Sequence, residues 1–157
     1  MGVEIERKFL LVSEAWRKDV VSSVVMEQGY LCENGTTVRV RIAGERAFLT
    51  LKGAARGIAR TEYEYPIPVA DAEDMLANMC VGTNVKKIRH IVDAGNNLKW
   101  EIDEYLEENS PLFTAEIELP DADTPFALPA WLGKEVSGDP EYTNRALSRN
   151  PFCRRKM

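Results

Sequence analysis

The chain has 157 residues, of which 45% are hydrophobic and 29% charged, with a net charge of −5. That length holds one domain with a proper core, and the balance excludes a disordered chain. An acidic chain has no general attraction for nucleic acid or anionic membranes, so any polyanion it binds must be caught at a local site.

Residues 3–12 alternate apolar and polar side chains and read as a first strand. Ser13 can cap a short helix that carries Trp16 and leads to Val20. Residues 26–31 predict a second strand, Asn34-Gly35 a hairpin turn, and residues 37–42 a third strand. Gly44-Glu45 turns into a fourth strand over 47–52, and the basic connection Gly53, Ala54, Ala55, Arg56, Gly57 leads to a fifth over 58–67, ended by Pro66 and Pro68. Ala72, Met75, Leu76 and Met79 fall at helical spacing and predict an amphipathic helix over 71–80, capped by Asp71. Three further strands are expected over 85–92, 97–105 and 112–119, the first two joined by Ala94-Gly95-Asn96. Two short helices follow near 125–132 and 141–149, separated by the turn Ser137-Gly138-Asp139-Pro140. Residues 1–150 form a single domain and 151–157 a tail, with Arg154, Arg155 and Lys156 frayed.

Three cysteines, Cys32, Cys80 and Cys153, are widely spaced and His90 is the sole histidine. This argues against a disulfide framework or a zinc site and fits a reducing cytoplasm. No apolar run approaches the roughly 18 residues of a membrane helix, and nothing resembles a signal peptide. Neither a P-loop nor a dinucleotide-binding glycine pattern occurs.

The charges on these strands follow a pattern of their own. Side chains along a strand alternate with period two, so Glu4, Glu6 and Lys8 point the same way in a row about 13 Å long. One such row is what any solvated sheet face looks like. The row recurs, however, as Arg39 and Arg41, as Lys52, as Arg60, Glu62 and Glu64, as Lys87 and Arg89, as Glu101 and Asp103, and as Glu116 and Glu118. Each row is mostly of one sign. Like charges side by side repel, so solubility alone does not explain the sorting, whereas a face that holds metal ions against a polyanion does. The opposite parity, including Phe9, Val40, Trp100, Ile102 and Ile117, is apolar and must be covered. With few helices to cover a flat sheet, two shapes fit: an open sheet with its charged face in water, or a closed eight-strand barrel with charges inside. An eight-strand bore has room for side chains and one small ligand.

The ordered set E-x-E-x-K (Glu4, Glu6, Lys8), R-x-R (Arg39, Arg41), Lys52, R-x-E-x-E (Arg60, Glu62, Glu64), K-x-R (Lys87, Arg89), Asp103 and E-x-E (Glu116, Glu118) resembles the CYTH domain, the triphosphate tunnel metalloenzyme superfamily, over nearly the whole chain. The segments Gln28-Gly29-Tyr30-Leu31 and Tyr142-Thr143-Asn144 are similar to those of short bacterial members. The resemblance implies a mainly β, α+β fold: an eight-stranded antiparallel tunnel with a charged lumen and a few helices packed outside. It implies Glu4, Glu6, Glu62, Glu64, Asp103, Glu116 and Glu118 as ligands of Mg²⁺ or Mn²⁺. Lys8, Arg39, Arg41, Lys52, Arg60, Lys87 and Arg89 would bind phosphate, and Tyr30 with Lys87 would act on the attacking water.

The expected activity is hydrolysis of inorganic triphosphate to pyrophosphate and phosphate, with a small-molecule polyphosphate as the partner and no nucleic acid or membrane. Adenylyl cyclase, nucleoside or thiamine triphosphatase, and a polyphosphate-binding module without turnover are the alternatives. The last gains nothing from carboxylates. His90 lies on the apolar parity and is expected to pack or hydrogen-bond outside the barrel. Trp16, Trp100 and Trp131 are expected in the core, and Arg56 in solvent unless it guards the tunnel mouth.

Overall fold

Charged parity turns inward and apolar parity outward, and this decides the architecture. The computed structural model describes residues 2–32, 36–54 and 56–155; the expected Asn34-Gly35 turn, Ala55 and Lys156 lie outside them. The elements run β1 (Gly2–Leu11), β2 (Val20–Cys32), β3 (Thr37–Ala43), β4 (Arg46–Lys52), β5 (Ala59–Ile67), α1 (Val69–Asn78), β6 (Val81–Gly95), β7 (Leu98–Tyr105), β8 (Phe113–Glu118), β9 (Leu132–Glu135) and α2 (Asn144–Arg149). Neighbouring strands follow the order β5-β4-β3-β2-β6-β7-β8-β1, and β5 pairs back onto β1, closing an eight-stranded antiparallel barrel.

Strand β1 is the closing stave. One edge pairs with β8, from Glu6 opposite Glu118 to Leu10 opposite Thr114. The other edge is shared: Gly2 to Ile5 pair with β5, and Phe9 and Leu11 with β9. Between them the Glu6 N–H donates to the Ile58 carbonyl at 3.3 Å, the Lys8 N–H donates to Ser137 Oγ at 2.9 Å, and the Lys8 carbonyl accepts from the Val136 N–H at 2.8 Å.

Two apolar clusters cover the outside. Phe9, Trp100, Ile102 and Ile117 of β1, β7 and β8 pack with Trp16 and Trp131, with edge-on ring pairs at 5.8 Å for Phe9 and Trp100 and 5.6 Å for Trp100 and Trp131. Such pairs add to the area that the rings bury. Ala72 and Leu76 of α1 cover Val40 and Ala47 of β3 and β4. Helix α1 starts at Val69 after Pro68, so Asp71 sits in its first turn, where the helix dipole favours it, and is not the cap. No helix forms over 125–132: Pro129 would break it, and the segment is irregular up to a turn, with the Leu132 N–H donating to the Pro129 carbonyl at 3.1 Å, that leads into β9. His90 is outside, as expected, with Nδ1 2.7 Å from Ser23 Oγ and Nε2 2.9 Å from Glu104, beneath the Trp16 ring.

A third apolar cluster is internal. Val85, Tyr105, Leu112 and Leu10 share the inward parity of the charged rows, and they pack around Leu147 of α2 with Tyr142 and Phe152. Helix α2 therefore enters one end of the bore and closes it, while α1 stays outside. Gly82 makes the seat possible, since it has a φ of +72° and a Cβ there would lie 2.7 Å from the Ser148 carbonyl oxygen. In residues 151–155 Pro151 is buried and the Phe152 N–H donates to Asn109 Oδ1 at 2.8 Å, while Cys153 and Arg154 are exposed and Arg154 pairs with Glu108 at the surface at 3.1 Å. Among the described residues no helix is long and apolar enough to cross a membrane.

Candidate active site

The bore holds a cavity of about 560 Å³, and its wall has two halves. On β8, β1 and β5, Glu116, Glu118, Glu4, Glu6, Glu62 and Glu64 face it, joined by Glu101 of β7. Opposite them stand Lys52 of β4, Arg39 and Arg41 of β3, Tyr30 of β2 and Arg89 of β6. Lys8 and Arg60 are the cations on the acidic side. The strand order explains this division, because β7, β8, β1 and β5 are consecutive around the barrel, as are β4, β3, β2 and β6. Lys87 and Asp103 do not line the cavity; both are completely buried behind it.

The acidic half is crowded enough to hold protons. Burial, with the charge and hydrogen bond of Glu116, pushes the Glu6 carboxyl up to about 9. Burial raises Glu116 as well, but Lys8 and Arg89 outweigh it and hold Glu116 down at about 2. Burial and the hydrogen bond to Glu4 bring Glu62 up to about 7. In Glu4 the burial is outweighed by Glu62 and by the Lys52 ammonium, 3.2 Å away, so its shift is downward. In each pair one carboxyl keeps a proton so that the other can ionise.

On the cationic half, burial and the charges of Arg39 and Arg89 bring Arg41 down to about 9. Arg39 Nε is buried without a hydrogen-bond acceptor among the described residues. Arg39 Nη2 reaches Thr50 Oγ1 at 3.2 Å and Glu64 at 3.4 Å. Arg60 is held by the Gly53 carbonyl at 3.2 Å. Gln28, fully buried and two residues before Tyr30, donates to the Tyr30 hydroxyl at 2.9 Å and accepts from Arg41 Nε at 2.9 Å.

Asp103 has a different environment from the other carboxylates. Its Oδ1 accepts from Arg89 Nε at 2.8 Å, and its Oδ2 from Arg89 Nη2 at 2.9 Å and from Lys87 Nζ at 2.8 Å. Burial raises its carboxyl, but Arg89 and Lys87 prevail and hold it far below the usual range.

Sequence reasoning missed Gln28, which carries no charge and differs from a solvated glutamine only by sharing the inward parity. It also missed the floor, where Thr143, Asn144, Arg145 and Arg149 line the cavity. Nothing in a six-residue polar helix says that it enters a barrel.

Hard carboxylate oxygens in close pairs fit a divalent cation of the Mg²⁺ or Mn²⁺ kind, which would displace the shared protons. Among the described residues no three His, Cys, Asp or Glu side chains converge into a ready-made cluster. A closed barrel whose bore sets carboxylates against buried cations defines a tunnel for a metal-bound polyanion. The CYTH domain matches residues 2–144, and the chain belongs to that family. It is 42% identical over 153 residues to an inorganic triphosphatase of Acetivibrio thermocellus, covering 97% of both chains. It is 36% identical over 149 residues to an inorganic triphosphatase of Nitrosomonas europaea, covering 92% of this chain and 96% of that one. A crystal structure of an inorganic triphosphatase superposes with a TM-score of 0.68 at 34% identity, covering 94% of this chain and 95% of the other.

Proposed function

We propose that the chain is a divalent-metal-dependent inorganic triphosphatase that hydrolyses triphosphate to pyrophosphate and phosphate within the bore. The observation that carries this reading is the division of one cavity into a carboxylate half and a cationic half whose Arg39 Nε has no acceptor among the described residues. Anion capture alone needs only the cations; the carboxylate half implies metal.

Lys8, Arg39, Arg41, Lys52, Arg60 and Arg89 bind phosphate oxygens and neutralise charge as the bridging P–O bond breaks. Glu4, Glu6, Glu62, Glu116 and Glu118 would hold the Mg²⁺ or Mn²⁺. When bound, such an ion supplies Lewis-acid neutralisation of the phosphate chain and lowers the pKa of bound water. Asp103 and Glu64 are better read as positioning groups than as metal ligands, because Asp103 is engaged on both oxygens and Glu64 supports Arg39 and Thr50. Tyr30, fixed by Gln28, orients the attacking water, and Lys87, buried behind the wall, takes its proton through an intervening water rather than by direct contact. Burial lowers the Lys87 ammonium to about 7 against the pull of Asp103, so a neutral amine is populated near neutrality.

The substrate is a bare polyphosphate. Among the described lining residues Tyr30 is the single aromatic, so no ring pair is present to sandwich a purine, and α2 closes the floor. Free thiols at Cys32, Cys80 and Cys153 fit a reducing cytoplasm. The test measures phosphate release from tripolyphosphate and from ATP, each with Mg²⁺ or Mn²⁺, together with cyclic AMP in the ATP reaction. Tripolyphosphate should be strongly preferred, and preferential cyclisation of ATP would replace this reading with that of a cyclase.

A further inference from the structure

Lys87 is fully buried, and its Nζ has three neighbours. Asp103 Oδ2 lies at 2.8 Å, Asn144 Oδ1 at 3.4 Å, and the Tyr105 ring centroid at 5.6 Å. Asp103 and Tyr105 belong to β7 in the barrel wall. Asn144 is the first residue of α2, and its Oδ1 also accepts from the Tyr105 hydroxyl at 2.9 Å. Two residues earlier the Tyr142 carbonyl accepts from Lys8 Nζ at 2.8 Å. The strap from Tyr142 to Asn144 therefore touches one lysine on β1 and another on β6.

Contacts that involve neither lysine fix this strap. Thr143 Oγ1 accepts from the Ala146 N–H at 3.0 Å and caps α2, Leu147 is seated in the apolar end of the bore, and Gly82 leaves room for Ser148. An ammonium with three donors and one carboxylate partner can swing about that partner, and a second fixed acceptor stops the swing. We infer that Asn144 is a positioning residue: its carboxamide, docked by α2 and by the Tyr105 hydroxyl, aims the Lys87 amine. The C-terminal helix then completes the site as well as closing the barrel.

The inference rests on the role given to Lys87 above, and its test separates the two. Steady-state kinetics with Mg²⁺-tripolyphosphate and melting temperatures are compared for Lys87→Ala, Asn144→Leu, Tyr105→Phe and the double variant. Asn144→Leu conserves side-chain volume and removes the acceptor. Its kcat should fall by about tenfold or more, the scale of a misaimed catalytic group, with KM within about threefold and the melting temperature within a few degrees. Tyr105→Phe probes the same bond from the wall without touching α2. It should lower kcat in the same direction by a smaller factor and add little to Asn144→Leu, since the two act through one contact.

An inactive Lys87→Ala beside a normal Asn144→Leu would overturn this inference alone. Normal turnover in Lys87→Ala would overturn the role of Lys87 and this inference with it. A lower melting temperature with a raised KM in Asn144→Leu, and additive losses in the double variant, would reduce Asn144 to a structural contact and overturn the inference.

Discussion

Two carboxylate groups in the same bore are neutralised in opposite ways. Asp103 is buried with Arg89 on both its oxygens and Lys87 on one, so cations balance its charge. Glu6 is paired with another acid, Glu116, and keeps its proton. The first is a finished ion cluster, with cations on both oxygens. The second shares one proton within an acid pair, with Glu6 uncharged and Glu116 ionised. Parity along the strands treats Asp103 and Glu6 alike; the identity of the neighbouring strand decides which is balanced by cations and which by a shared proton.

The largest expected effect tests the finished cluster. Asp103→Asn leaves Lys87 buried without a carboxylate partner and Arg89 with only Glu101 and Glu116, at 3.4 and 3.8 Å, and should cost about 3–5 kcal/mol. At roughly 2–4 °C per kcal/mol for a chain of this size, differential scanning calorimetry should show a fall of about 10 °C. A change of only a few degrees would mean that the cluster is no more structural than the paired acids.

Glu6→Gln tests the other side and should separate turnover from stability. Turnover of tripolyphosphate should fall by about 100-fold or more, the scale of losing one preorganised electrostatic partner. The metal-free melting temperature should hold or rise, because glutamine replaces a group that is already uncharged. A metal-free melting temperature as low as that of Asp103→Asn would show that Glu6 is buried in its charged form.

A pH series sharpens the contrast further. Glu6 and Glu62 have folded pKa values of about 9 and about 7 against an ordinary 4.5, so between pH 4.5 and 7 the folded chain holds protons that the unfolded chain has released. Stability conferred by a raised pKa is complete below the unfolded value and is lost as pH climbs through the folded one. Metal-free protein should therefore melt progressively lower from pH 4.5 to 7. Lys87, lowered to about 7 from 10.5, contributes the opposite slope only above pH 7. Saturating Mg²⁺ should flatten the series, and a metal-free melting temperature that climbs over the same interval would contradict the protonated pairs. The smallest effect is expected at Arg56, which is exposed on its loop and does not line the cavity. Arg56→Ala should leave tripolyphosphate turnover within about twofold and stability within about 0.5 kcal/mol.

The barrel was legible because period-two alternation is local and recurs in every stave. Glu4, Glu6 and Lys8, or Arg39 and Arg41, needed only their own strand to declare a face. Longer-range facts were not legible. Pro129 could have warned against a helix over 125–132, where Phe126 and Trp131 pack on the outer apolar cluster while Leu128 is exposed. Gln28 bridges Tyr30 and Arg41 without any charge to mark it. Leu147 looks like one apolar residue in a polar helix, and only the tertiary structure shows that it stoppers the bore. The pairing of Asp103 with Arg89 and Lys87 depends on β7 lying beside β6, which strand order alone determines.

The shared edge of β1 bears on how the molecule behaves in company. An antiparallel sheet with a bare flank invites other chains to extend it, and such recruitment is a common start of fibril growth. Here the flank that β5 leaves uncovered is taken over by β9, with Ile58, Val136 and Ser137 satisfying the positions between. The short strand near the C-terminal end thus works as a selvedge, finishing the weave so that crowding of many copies does not unravel it into a shared cross-β stack.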